Sequence, residues 1–189
     1  PRNKPASIGI CSVLKVMTHS LAIYNFGMFT KPSEHPANHD WHMREGPIFD
    51  RLAKAPGFIA RSGYDDDIHG VKSWGTQVFP RFHEERGDGW APATISLWEN
   101  LETLFEFTYK GLHQEAFVRG KQWMVRGDWP PYVLWWVKHD HQPNWAEGVE
   151  RFEYLHDHGP TAKAFNFKHP FDADGSAVGL KHRGLEASN

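Results

Sequence analysis

A chain of 189 residues with 40% hydrophobic and 23% charged positions has the size and composition of one ordinary globular domain, not of a disordered or collagenous chain. Its 21 Lys and Arg against 23 Asp and Glu leave a formal net charge of −2, which gives no field to gather nucleic acid or an anionic membrane. The single cysteine, Cys11, cannot close an intrachain disulfide, which points to a reducing, cytoplasmic setting, and no apolar run approaches the roughly 20 residues that cross a bilayer.

Residues 1–20 read as an N-terminal arm, and LAIYNFGM, 21–28, as a first strand running into a turn cluster at Lys31, Pro32, Ser33 and Pro36. Trp41, Ile48, Phe49, Leu52 and Ala53 predict a helix within 37–55, with Gly46-Pro47 starting or kinking a segment and Pro56-Gly57 as its stop. GFIARSGY, 57–64, reads as a second strand. Residues 65–91 then form a connection far longer than a hairpin loop, which predicts a lid or arm with an internal strand near 76–82. PATISLWE, 92–99, is a third strand by alternation, and Asn100 is suited to cap a helix from Leu101 to about Trp123. YVLWWVK, 132–138, is apolar on both faces and predicts a strand buried on both sides. A last helix follows at Trp145 to His158, stopped by Gly159-Pro160; AFNF, 164–167, suggests a short edge strand, and residues 168–189 a mobile tail.

Two split βαβ units in this order make a four-stranded antiparallel sheet with two helices on one face, so the predicted class is α+β with a ferredoxin-like βαββαβ protomer over 21–167. An extra C-terminal helix and a long insertion between strands 2 and 3 are added to it. Alternation groups Tyr24, Phe26, Ile95 and Leu97 toward those two helices. It leaves Ile23, Asn25, Arg61, Thr94, Ser96, Trp98 and one of Trp135 or Trp136 on a face with no helix over it. In the second strand, Phe58 goes one way and Ile59 and Arg61 the other.

The runs SLWENLETLFEFTYKGLHQEAFVRGKQW, YVLWWV and EGVERFEYLHDHGPTAKAFNF, with LAIYNFG and PGF before them, resemble a domain-of-unknown-function family in the dimeric α+β barrel superfamily, relatives of antibiotic biosynthesis monooxygenases. The resemblance implies a homodimer in which bare sheet faces of two copies form a barrel, with a pocket between sheet and helices. That superfamily hosts monooxygenases, haem-degrading enzymes, dehydratases and isomerases, so the reaction does not follow from the fold.

The chain is rich in aromatic residues and histidine, with 9 Trp, 13 Phe and 13 His, a composition that suits either a stiff core or a pocket for a flat apolar ligand. His113 and Tyr109, an i, i+4 pair, suit acid and base roles on one bound molecule. Arg119, on the apolar stripe of the same predicted helix, either pairs with Glu115 or holds an oxyanion. Asn25, Arg61, Ser96, Trp98, Trp123, Trp135 and Trp136 are the candidate substrate-binding residues. Three histidine groups, His35, His39 and His42, His139 and His141, and His156 and His158, lack any recognised metal motif, so no metal is predicted. Haem remains an alternative, with His113 or His42 as axial ligand. No nucleotide or acyl-transfer motif is present. The expected function is a small-molecule enzyme of secondary metabolism, of monooxygenase, cyclase or isomerase type, acting on a hydrophobic or aromatic substrate without a nucleotide. The alternatives are a non-catalytic carrier of such a ligand and a haem-binding protein.

Overall fold

In the computed structural model, which describes residues 18–65, 70–109 and 120–180, the regular elements follow the order β1 (His19–Phe26), α1 (His39–Leu52), β2 (Phe58–Arg61), β3 (Ala93–Trp98), α2 (Leu101–Tyr109), β4 (Tyr132–Lys138) and α3 (Trp145–His158). Short 3-10 turns precede α1 at Pro36–Asn38 and lie at Gly120–Gln122. The fold is α+β. Its four strands form one antiparallel sheet in the order β2-β3-β1-β4, with β1 and β3 at the centre.

Local chemistry accounts for the element ends. Asn100 accepts a hydrogen bond from the Thr103 amide at 2.9 Å, capping α2, and Asn144 accepts from Glu147 N at 2.9 Å, capping α3. Helix α1 runs through Gly46-Pro47 without a break, although Pro47 removes one main-chain donor from its interior. Gly57, at φ 73°, makes the left-handed turn from α1 into β2 that residues with a Cβ avoid.

Both faces of the sheet are covered. On one side Leu21, Ile23, Trp98 and Leu134 form a core with Leu52 of α1, Leu101 and Leu104 of α2, and Phe165 and Phe167 of the C-terminal stretch. On the other, Tyr24, Phe26, Ile95, Val133 and Trp135 pack against Trp145, Phe152 and Leu155 of α3 and against Trp74, Phe79 and Phe82 of the insertion. Helix α3 approaches β1 closely because Gly148 has no side chain; a Cβ there would lie 2.9 Å from the Tyr24 ring.

This arrangement corrects the sequence reading in its central step. The residues that alternation groups together do share faces, but α1 and α2 lie over the Ile23, Ser96 and Trp98 face, and the Tyr24 and Phe26 face is filled by the chain's own insertion and last helix. Among the described residues, each sheet face carries packed elements of the same chain. Alternation fixes which side chains share a face and says nothing about which element covers it. A second correction lies in β2, where a bulge between Phe58 and Ala60 resets the alternation. Phe58 and Arg61 therefore face the same way, opposite Trp98 and Ser96 respectively.

Other differences are local. Residues 76–82 form no strand; the insertion is irregular and is tied to α3 through Arg81, which bonds Glu153 at 3.3 Å and also Asp157. Helix α2 is described as far as Tyr109, and 120–122 is a 3-10 turn instead of the end of a long α-helix, with the amides of Trp123 and Met124 both turning back to the Gly120 carbonyl. Residues 123–125 instead run beside 28–30, with Thr30 N donating to Trp123 O at 2.8 Å and Val125 N to Met28 O at 2.7 Å. Tertiary pairing overrides helical periodicity there. Phe165 exchanges two main-chain bonds with Leu134 at the β4 edge as an isolated bridge, not a strand. The stretch 168–180, a mobile tail by composition, packs Phe171, Val178 and Leu180 against the α1/α2 side core.

Candidate functional site

The sheet face under α1 and α2 can be laid out in three rows from the strand pairings. Phe58, Trp98, Leu21 and Trp136 form the first, and Arg61, Ser96, Ile23 and Leu134 the second. Thr94, Asn25 and Tyr132 form the third. The first row is apolar, as a core should be. The third is wholly polar although it crosses β1 and β3, and all of its members, with Arg61, keep partial access to solvent. Polar side chains on central strands beneath helices are uncommon unless bonded or in use.

Their bonds are only partly internal. Asn25 Oδ1 accepts from both Thr94 N and Thr94 Oγ1 at 3.0 Å, so its carbonyl is satisfied, and its Nδ2 donates to no acceptor among the described residues. Ser96 Oγ accepts from Trp98 Nε1 at 3.0 Å, and the Trp98 ring stands edge-on to Phe58 and tilted against Phe107. Arg61 lies flat over Phe49 of α1, with its guanidinium carbon 4.0 Å from the ring centre, and donates to Ser62 O at 2.9 Å. Stacking holds the cation in place over the ring.

At the open end of the third row, Tyr132 and Tyr109, the last described residue of α2, bring their hydroxyls to 3.4 Å. Phe105 and Phe167 pack on the Tyr109 ring. Burial, and then the hydrogen bond to Tyr109, hold the Tyr132 phenol well above its usual range. It stays protonated at neutral pH, so it is a hydrogen-bonding group and not a base.

Among the sequence-predicted residues, Asn25, Arg61, Ser96, Trp98, Tyr109 and Trp136 thus meet on one face. Trp136 donates to Phe171 O at 2.7 Å. Trp135 points to the opposite face, where its indole donates to Glu147 Oε1 at 2.9 Å. Trp123 is buried beside residues 28–30 and belongs to neither core. His113 and Arg119 lie outside the described residues. Alternation places Thr94 on this face without naming it a site residue, and Tyr132 was not singled out from sequence; the signal was the strand register, which pairs both with Asn25.

The histidines gather elsewhere. His35, His39 and His42 line an open cleft of about 430 Å³ with Ser33, Glu34 and Pro36. His42 packs among Phe29, Trp41 and Trp90, and its Nε2 lies 3.0 Å from the Ser33 carbonyl. His141 and His156 are engaged with Glu147 and Asp157. Among the described residues no three His, Cys, Asp or Glu side chains are grouped to hold a metal ion, and no helix is long and apolar enough to cross a membrane.

No curated protein and no solved structure matches the chain. A family model described as a domain of unknown function, DUF3291, matches residues 20–181, from β1 through the packed C-terminal stretch. The chain therefore belongs to the DUF3291 family of domains of unknown function.

Proposed function

We propose that this protein is a cytoplasmic small-molecule enzyme that holds a hydrophobic or aromatic substrate between the sheet and helices α1 and α2. The observation that carries the reading is the half-exposed polar row Thr94, Asn25 and Tyr132, with Arg61 beside it, set into an otherwise apolar face. Ligand pockets combine those two features: apolar walls give affinity, and a few fixed polar groups give orientation. The element order, with the sheet order β2-β3-β1-β4, supports a ferredoxin-like protomer. Since each sheet face is covered within one chain, a homodimer would join through other surfaces.

In this reading the Asn25 amide and Arg61 orient a carbonyl or oxyanion of the substrate, and the Tyr109–Tyr132 pair supplies a hydrogen bond from a protonated phenol. His113 is the proposed base and Arg119 a second anion holder. The reaction is an oxidation, cyclisation or isomerisation. It invokes no nucleotide, because the sequence carries no phosphate-binding loop. The same pocket without turnover would make the protein a carrier.

The test is a thermal-shift screen of hydrophobic aromatic compounds followed by mass spectrometry of the incubated hits. A ligand at about 100 times its Kd stabilises by about 2.7 kcal/mol, and a chain of this length gains about 2–4 °C per kcal/mol, so a true ligand raises Tm by about 5–10 °C. Product formed by the wild type and lost in His113→Ala supports the enzyme. Binding without product identifies a carrier, and turnover unchanged in both His113→Ala and Arg119→Ala removes the catalytic assignment.

A further inference from the structure

The middle of the insertion is irregular, and its polar ties to α3 converge on Arg81. The main-chain N of that residue donates to Glu153 Oε1 at 2.7 Å; its Nη1 donates to Glu153 Oε2 at 3.3 Å and Asp157 Oδ2 at 3.0 Å, and its Nη2 to Asp157 Oδ1. An isolated surface ion pair adds little, whereas an arginine bonded by both arms of its fork within a network fixes a geometry. The next residue, Phe82, turns inward, stacked on Trp129 at 5.5 Å and inclined to Phe152 at 6.1 Å between ring centres. Arg81 thus clasps the insertion where it closes over the aromatic layer on the Tyr24 side.

His156 stands inside this clasp. Its Nδ1 lies 3.2 Å from Arg81 Nη2 and 2.9 Å from Asp157 Oδ1. The two contacts make opposite demands on one atom, because a guanidinium only donates and a carboxylate only accepts. With Nδ1 bare, the neutral ring accepts from Arg81. The charged ring carries a proton on each nitrogen: Nδ1–H then serves Asp157, Nε2–H faces Asp128 Oδ2 at 4.0 Å, and a positive charge stands against the guanidinium. The ring is partly buried and packs on Phe82 at 4.7 Å, so that repulsion is less screened than between exposed groups. The charged groups around His156 are therefore Arg81 of the insertion, Asp128 of the turn before β4, and Asp157 and, through Arg81, Glu153 of its own helix.

We infer that His156 is a proton-operated catch on the insertion: the neutral ring holds Arg81, and the charged ring takes Asp157 from Arg81 and lets the middle of the insertion lift from α3. Histidine is the side chain type whose charge changes between pH 5 and 8, so the catch works within that range. Lifting uncovers the rings that Phe82 covers, Trp129 and Phe152, while the ends of the insertion stay tied through Gly63 N to Lys72 O and Gly27 N to Pro92 O. The catch lies on the α3 side of the sheet and does not depend on the site proposed under α1 and α2.

Amide hydrogen exchange on the full chain, divided by the intrinsic rate at each pH, reads the catch at Arg81, whose N–H is bonded to Glu153. In the wild type its protection is expected to fall about tenfold or more between pH 8 and pH 5, the weight of one hydrogen bond to a charged group. The Gly63 amide, bonded to Lys72 O at a tied end, is expected to keep its protection. The fall is expected to follow the titration of the His156 ring, read from its Cε1 proton, and not that of His83, which packs on Phe26 and Phe79 within the insertion. His156→Gln, which hydrogen-bonds but does not take a charge, is expected to abolish the fall. Constant protection of Arg81 in the wild type, a parallel loss at Gly63, a fall that tracks His83, or the same fall in His156→Gln overturns the catch. If the variant leaves Arg81 unprotected at both pH values, the comparison of the two rings in the wild type decides.

Discussion

Tyr24 lies fully buried between β1 and α3, with its ring edge-on to Trp145 and Phe152 and its hydroxyl without a hydrogen-bond partner. Burial, with the nearby Glu153 carboxylate, holds the phenol far above its usual range, so the group is neutral and its oxygen is merely unpaired. Replacing it with Phe keeps both edge-on ring contacts and removes one buried polar atom. An unsatisfied buried hydroxyl costs about 1–3 kcal/mol. Tyr24→Phe should therefore stabilise the protein by about 1 kcal/mol or more, an increase of about 2–4 °C in Tm for each kcal/mol in a chain of this length. Urea unfolding followed by tryptophan fluorescence, with a calorimetric Tm, measures it. A loss of 1 kcal/mol or more would show that the hydroxyl is satisfied and refute the reading of Tyr24 as an unpaired buried phenol.

Gly148→Ala should be destabilising by about 1–3 kcal/mol, the cost of overpacking, because the new Cβ meets the Tyr24 ring at 2.9 Å. On an unconstrained helix the same change would stabilise by about 1 kcal/mol, so the sign alone decides whether α3 docks this closely. The bonds from Arg81 and His156 lower the Asp157 carboxyl to about 2 from its ordinary 3.8. A depressed pKa contributes stability above the unfolded value and loses it as pH falls toward the folded one. Asp157→Asn should therefore flatten the decline in urea midpoint between about pH 4 and pH 2, and an unchanged acid limb would exclude the Arg81 latch as its source.

Much of the fold is legible in the sequence because its signals are local. The YVLWWVK run coincides with β4, Asn100 caps α2, and α3 occupies Trp145–His158 as its apolar spacing and Gly159-Pro160 stop require. The grouping of Asn25, Ser96 and Trp98 on one face is legible for the same reason, since a two-residue period needs no knowledge of the partner strand. What covers each face is not local. Trp74, Phe79 and Phe82, in a segment without regular structure, reach the Tyr24 side by long-range packing and hydrogen bonding, and no periodicity marks them. The β2 bulge is hidden likewise, because it is defined by pairing with β3.

The central claim is that a ligand enters between the sheet and α1/α2 and not on the α3 side. Nitrogen-proton correlation spectra of the labelled protein titrated with 2-naphthoate test it, because each side carries its own reporters. The account predicts that the side-chain amide of Asn25 shifts progressively while the indole N–H signals of Trp135, bonded to Glu147, and Trp145, bonded to Ser73, stay in place. Movement of those two indoles with Asn25 unchanged would put the ligand on the opposite face and contradict the account.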